Sequence, residues 1–392
     1  MDILKETQEL FEYTRALRRD FHRHPELGFQ EVRTAEIVAR ELTALGLEVT
    51  TGVAKTGVVG LLECARPGPV VMLRFDMDAL PIHEETGAEY ASENDGVMHA
   101  CGHDAHTAIG LTVARILQAH AQELAGSVKF VFQPAEEGLG GAQAMVAAGV
   151  LETPRPDVAL GLHVWNEEPL GLIAASTGPF MAASEIFQVT LTGRGGHGAL
   201  PHQTVDPVVA AAQVITALQS IPARNVSPTS AAVISVTAIH AGEAFNVIPQ
   251  KVELKGTIRT FEPEVRAVVL ERFQQVVGQT AGALGCQAEV EIQTLTPAVI
   301  NHPEITARVQ AQAAKLFPAD TLITSYRTMG SEDMAYLMDG VPGCFFFVGS
   351  ANSELGLDAR HHHPKFDFDE RVLPRAAALI TAAAVDFLNG AA

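Results

Sequence analysis

Apolar positions along the chain fall into two patterns. Leu10, Tyr13, Leu17 and Phe21 recur at helical spacing, and Ala35 to Leu45 repeats it. Residues 3–46 are therefore predicted helical, with a break at Pro25 and a stop at Gly46. Unbroken apolar runs follow at Val70 to Phe75, Val128 to Phe132, Val158 to Val164 and Cys344 to Val348. Each predicts a strand buried on both faces. Thr107 to Leu124 reads as a helix between the first two. Strands alternating with helices predict an α/β layer fold with a mostly parallel sheet.

The segment 184–292 has a different rhythm. Glu185 to Thr192 alternates as a half-buried strand does. Asp206 to Ile221 reads as a helix, with Asp206 as N-cap and Pro207 in the first helical position. Ala231 to Ile239 and Val252 to Thr260 are strand-like, Pro263 to Leu284 helical, and Gln287 to Gln293 a strand again. The order β-α-β-β-α-β predicts a small ferredoxin-like unit. It is expected as a domain at 183–293, inserted into a discontinuous α/β domain made of 1–182 and 294–392.

Composition narrows the partners. The chain has 392 residues, 27 Lys+Arg against 46 Asp+Glu, and a formal net charge of −19. Nucleic acid and anionic membrane need a basic face, so neither is expected as a partner. The four cysteines, Cys64, Cys101, Cys286 and Cys344, are widely spaced and form no CxxC pair, which argues against a disulfide framework. Met1 to Glu6 lacks a basic stretch followed by an apolar run, and no run of about 18 apolar residues occurs. A cytoplasmic protein with no signal peptide and no membrane span is expected.

Chemistry concentrates just after the apolar runs. Asp76 and Asp78 leave one strand two residues apart and share a face; a turn-forming role is the plain alternative. His99, Cys101, His103, Asp104 and His106 crowd the entry to a helix. A thiolate and imidazoles in one compact turn suit Zn²⁺ and similar divalent ions. Glu136 and Glu137 follow the second run, with an exposed acidic turn as the plain alternative. Their side chains point apart, so one can bind a metal while the other faces a water. His163 ends the third run, and His361, His362 and His363 stand in a row near the C-terminus. Any one of those three could be a ligand.

Other catalytic motifs fail. GxSxG and GxxxxGK[ST] are absent, and His83-Glu84-Glu85-Thr86-Gly87 stops one residue short of HExxH. Gly193 to Gly198 matches GxGxxG, but Pro201 and Pro207 interrupt the helix that should follow. His22 and His24 read as capping residues.

Taken together, the motifs resemble the M20 metallopeptidase family in its amidohydrolase branch, which includes hippurate hydrolases, aminoacylases, carboxypeptidases and auxin-conjugate hydrolases. The matching stretches are Asp76 to Pro81, His99 to Asp104, Pro134 to Gly138, Gly161 to His163, Gly195 to Ala199, Phe245 to Pro249, Gly330 to Met334 and His362 to Phe366. They keep the family order over nearly the whole chain. The resemblance implies a two-metal site for Zn, Mn, Co or Ni, with Cys101, His103, Glu137, His163 and His362 as ligands. Many family members carry a metal-binding histidine where this chain has Asp76, and a bridging aspartate where it has Cys101. The spacing to Pro364 and Phe366 selects His362.

By the same resemblance Glu136 is the general base, and Asp78 is a carboxylate behind the ligands. His197 would stabilise the oxyanion, reaching the site of another subunit, while Asn246, Arg259 and Gly330 would hold the substrate. A surface cation is the plain alternative for Arg259. The implied reaction is hydrolysis of an N-acyl-amino acid by a homodimer or homotetramer joined through the inserted lid domain. A dipeptidase or carboxypeptidase using the same site, or a metal-binding protein without catalysis, are the alternatives.

Overall fold

The structure, a computed structural model, describes residues 1–390. Two compact units emerge. The first comprises Met1–Phe180, Ile300–Arg327 and the chain from Asp333 onward; the second comprises Met181–Val299 and Thr328–Glu332.

The first unit is built on an eight-stranded mixed sheet. Its centre is parallel: Arg66–Asp76 lies between Ala125–Gln133 and Val158–Pro169, and Gly343–Ala351 continues beside the latter. Glu48–Val53 and Gly57–Glu63 flank it antiparallel to each other, the second of them pairing antiparallel with Ala125–Gln133. The "mostly parallel" expectation thus describes the middle of the sheet, and hairpin pairing takes over on one flank. The central strands are buried on both faces, as their continuous apolar runs require.

Helices His103–Ala119 and Val372–Asn389 pack on Arg66–Asp76. The first comes so close that a Cβ on Gly110 would lie 2.6 Å from the Phe75 ring and 2.8 Å from Phe132. Val372–Asn389 is long and apolar enough to cross a membrane, but 72% of it is buried within this core. It contains Arg375 and Asp386, so its sequence is no unbroken apolar run. The expected N-terminal helix forms as three pieces, Ile3–Glu9, Phe11–Arg23 and Val32–Ala44. Leu10 falls at the first break, and Gly46 adopts φ +82° just beyond the last piece.

In the second unit a four-stranded antiparallel sheet runs Ala232–Ala241, Lys251–Thr260, Ala183–Thr192, Gln287–Thr296. The element order is β-α-β-β-α-β, with helices Pro207–Leu218 and Pro263–Ala283. The Asp206 carboxylate caps the first helix by accepting from Val208 N at 2.8 Å. Alternate strand residues, such as Val189, Leu191, Val252 and Leu254, enter a separate apolar core with Phe273 and Val277.

Candidate metal centre

Cys101 and His103 flank Gly102, which holds φ +92° at the start of the helix. A Cβ there would lie 2.5 Å from Val164 Cγ2, so only glycine lets the two donors turn into the same pocket. His103 Nδ1 donates to the Asp78 carbonyl at 2.9 Å and faces Asp78 Oδ1 at 3.2 Å. That fixes a proton on Nδ1 and leaves Nε2 as the nitrogen that would turn to a metal on losing its own proton. Nε2 is buried and has no hydrogen-bond partner.

The other Asp78 oxygen accepts from Glu137 N at 3.0 Å, so one carboxylate orients two candidate ligands. Glu137 Oε1 is likewise buried and unpartnered. It lies 3.3 Å from His362 Nε2 and 4.0 Å from His103 Nε2, close enough for attraction but outside hydrogen-bond geometry.

His163 repeats the device. Its Nδ1 donates to the Val164 carbonyl at 2.6 Å, and its Nε2 stands 3.5 Å from Cys101 Sγ. A separation of about 3.5 Å is what a thiolate and an imidazole span when they share a tetrahedral ion. Rather than ending its strand, His163 lies inside Val158–Pro169, beside Phe347 of the neighbouring strand. The candidate donor atoms of Cys101, His103 and His163 fall within 4.8 Å of one another, and so do those of Cys101, Glu137 and His362. Cys101 belongs to both groups.

Electrostatics favour a cation here. Burial depresses the His103 imidazolium, yet Asp76, Asp78 and Glu137 outweigh it and raise its pKa to about 10. Burial, together with Glu137, Glu136 and Asp76, pushes the Cys101 thiol well up. A divalent ion would reverse both conditions, so the donor set fits a metal. Burial holds His163 well below its ordinary value and therefore neutral, the form that ligates.

Glu136 sits with His103 and Glu137, their ligand atoms within 4.8 Å of one another. Asp333 N donates to Glu136 Oε1 at 3.4 Å, and the Asp333 carboxylate accepts from Arg74, Gln133 and the Ala142 amide. Ala135, just before the two glutamates, has φ +55°, and His362 has φ +65°. Both lie in the left-handed region that non-glycine residues avoid, a strain of about 1–3 kcal/mol each held by the surroundings.

Asp76 is committed elsewhere. Its oxygens meet His106 Nδ1 at 2.6 Å and Arg74 Nη1 at 2.7 Å. Burial opposes its charge, but Arg74, His103 and His106 hold its pKa well below the carboxylate range. Of the histidine row, His361 is tied to Asn166 N through Nε2 and faces Cys101 Sγ at 3.8 Å, while His363 accepts from Lys365 N. His99 is buried with neither ring nitrogen hydrogen-bonded, and burial lowers its pKa to about 4.

His22 is not a cap. It is buried, with Nδ1 2.8 Å from Asp104 Oδ2, in a cluster around the fully buried Arg18. His24 does occupy the C-cap position of Phe11–Arg23. Sequence reasoning placed His106 in the donor-rich cluster without its partner Asp76, and gave no role to Arg74 or Asp333. The available signal was Arg74 itself, a charge inside a run otherwise buried on both faces, which needs a buried partner.

The remaining expected residues lie in the second unit. His197 is exposed on Gly196–His197, which pairs with Val247–Ile248. Gly198 N donates to the Asn246 carbonyl at 2.8 Å, so His197 and Asn246 are brought together. Arg259 is half-buried on Lys251–Thr260, where its Nη1 reaches Thr257 Oγ1. The Gly330 carbonyl accepts from Ala182 N at 2.9 Å.

Comparison with known proteins places this geometry. Residues 72–386 match the model of peptidase family M20/M25/M40. Thermostable carboxypeptidase 1 of Saccharolobus solfataricus is 37% identical over 388 residues, 98% of each chain. An N-acetylcysteine deacetylase of Bacillus subtilis is 39% identical over 374 residues, 95% of this chain and 96% of that one. The crystal structure of Bacillus subtilis YXEP, described as a dinuclear metal-binding M20 peptidase, superposes with a TM-score of 0.84 at 35% identity, covering 97% of this chain and 99% of that one. The chain belongs to peptidase family M20/M25/M40, as a metal-dependent hydrolase of the amidohydrolase and peptidase type.

Proposed function

We propose that the protein hydrolyses the amide bond of N-acyl-L-amino acids, hippurate-like substrates included, to a carboxylic acid and a free amino acid. The observation that carries the reading is the pair of buried, unpartnered donor atoms, His103 Nε2 and Glu137 Oε1, beside Glu136. Cys101, His103, Glu137, His163 and His362 would hold two ions of Zn, Mn, Co or Ni. Bound there, the ions supply Lewis acidity to water and to the carbonyl oxygen.

Glu136 takes a proton from the water as its oxygen bonds to the amide carbon. It gives that proton to the nitrogen as the C–N bond breaks. Asp333 holds Glu136 in place through its amide. Asp78 fixes His103 and Glu137 from behind. His197 donates to the developing oxyanion from another subunit of a homodimer or homotetramer. Asn246 and Arg259 hold the substrate carboxylate, and Gly330 also lines the substrate. A cytoplasmic location is part of the proposal. The substrate class is supported by the N-acetylcysteine deacetylase relative.

The carboxypeptidase relative favours a second reading, cleavage of short peptides at the same site. The test is release of free amino acid from hippurate, N-acetylcysteine and an unblocked dipeptide, after chelation and after adding back each metal. N-acyl substrates are expected to be cleaved faster, and only with metal. Preference for the dipeptide would transfer the assignment to the second reading. Glu136→Gln is expected to keep its metal and lose at least 100-fold in kcat; near-normal turnover would remove Glu136 as the base.

A further inference from the structure

A cavity of about 1020 Å³ opens in the first unit, among the helix Ile3–Glu9, the end of Pro303–Leu316 and the start of Val372–Asn389. None of the residues proposed for hydrolysis lines it. Its walls are mostly apolar, with Leu4, Phe11, Leu170, Leu316, Phe317 and Pro374. Three cations, Lys5, Arg371 and Arg375, face one carboxylate, Asp2, in a chain whose net charge is −19.

Two of these cations are already matched. Lys5 lies 3.7 Å from Glu9, and Arg371 makes a forked pair with Asp369. Arg375 is different. Its Nη2 donates to the Gly171 carbonyl at 3.2 Å, and its guanidinium lies over the Phe317 ring at 4.5 Å. Its Nε is buried with no partner, and no described carboxylate lies within 4.0 Å of it. Burial lowers its pKa, with nothing nearby to offset the loss of water.

The chain treats its fully buried arginines otherwise. Arg18 meets Asp104, Asp367 and Glu370, and Arg74 meets Asp76 and Asp333. A half-buried guanidinium without a counter-charge, on an apolar cavity of ligand size, is built to receive an anion with an apolar body. Asp2 balances the charge of the lining but makes no ion pair with Arg375, whose planar fork suits a carboxylate.

We propose that this cavity binds a medium-chain fatty-acid carboxylate, its headgroup on Arg375 and its alkyl chain along Leu4, Phe11 and Leu316. The site is independent of the hydrolytic reading. Calorimetric titration of the metal-loaded protein with decanoate tests it. Arg375→Met and Leu4→Glu are each expected to weaken binding at least tenfold, the first by removing the cation and the second by placing a negative charge on an exposed wall. Should Arg375→Met fail to fold, Leu4→Glu decides. Decan-1-ol and decyltrimethylammonium are expected to bind at least tenfold more weakly than decanoate. His103→Ala is expected to bind decanoate within twofold of the parent. Unchanged binding in the folded Arg375→Met or Leu4→Glu variants, equal binding of the neutral or cationic probe, or loss of binding in His103→Ala would overturn the proposal.

Discussion

Asp78→Asn offers the sharpest test of the proposed ligand set, because the change removes charge and almost no volume. In the parent, Oδ1 faces His103 Nδ1 at 3.2 Å and Oδ2 accepts from Glu137 N at 3.0 Å. An asparagine has only one oxygen to serve two donors. The Asp78 carbonyl already keeps the proton on His103 Nδ1, at 2.9 Å. The amide oxygen is therefore free to accept from the Glu137 N–H, and its NH₂ then confronts the His103 Nδ1–H. That leaves one buried donor unmade, a loss of about 1–3 kcal/mol. The site also loses one of three carboxylates acting on His103, the one that lies closest behind its Nδ1. Replacing a group that orients a metal ligand typically lowers affinity about 10- to 100-fold, or about 1.4–2.7 kcal/mol, the same range by an independent route. Competition with a fluorescent chelator measures the affinity, and thermal unfolding confirms that the variant is folded. A folded Asp78→Asn protein that binds metal within twofold of the parent would refute the reasoning.

Cys101→Ser is expected to deplete bound metal, read by elemental analysis; full occupancy would remove Cys101 from the ligand set. Arg18→Met leaves Asp104, Asp367 and Glu370 without their shared cation, and is expected to destabilise the first unit by about 3–5 kcal/mol. Trp165 is the sole tryptophan and is buried in that unit, so its fluorescence during denaturant unfolding reports the loss; a shift below about 1 kcal/mol would count against the cluster as an anchor. Burial pushes the Tyr90 phenol up to about 12, with Arg18 opposing and Asp367 assisting. Its folded pKa thus lies above the unfolded value of about 10, so the stabilisation is full below pH 10 and is lost as pH rises toward 12. Burial also raises Tyr13 and Tyr326, so ultraviolet titration should lose its latest-ionising component in Tyr90→Phe; an unchanged titration curve would contradict the assignment.

Much of the first unit was legible because its central strands are buried on both faces. Such strands appear as unbroken apolar runs, and the donor-rich stretches follow directly after them. The second unit was legible for the opposite reason: alternation in Glu185 to Thr192 and the Asp206-Pro207 helix start are local signals. What stayed hidden is pairing across long sequence separations. Nothing local says that Arg18 will meet Asp104, Asp367 and Glu370, or that Asp333 will receive Arg74 and Gln133. His22 looked like a cap because its partners, Asp104 and Glu84, are more than sixty residues away. The break at Leu10 was missed because helical spacing continues through it.

The first unit is discontinuous, and its candidate ligands are spread from Cys101 to His362. During synthesis, Cys101, His103, Glu137 and His163 emerge early, whereas His362 follows about two hundred residues later. At about 5–20 residues per second, that interval is roughly 10–40 s. The second unit, with its own core, is made entirely within the gap, Thr328–Glu332 included. A nascent chain in that window exposes a thiol and two imidazoles before the last ligand exists. On the proposed ligand set, complete loading of the centre therefore waits for His362, and until then Cys101 stands open to oxidants and to stray soft metals.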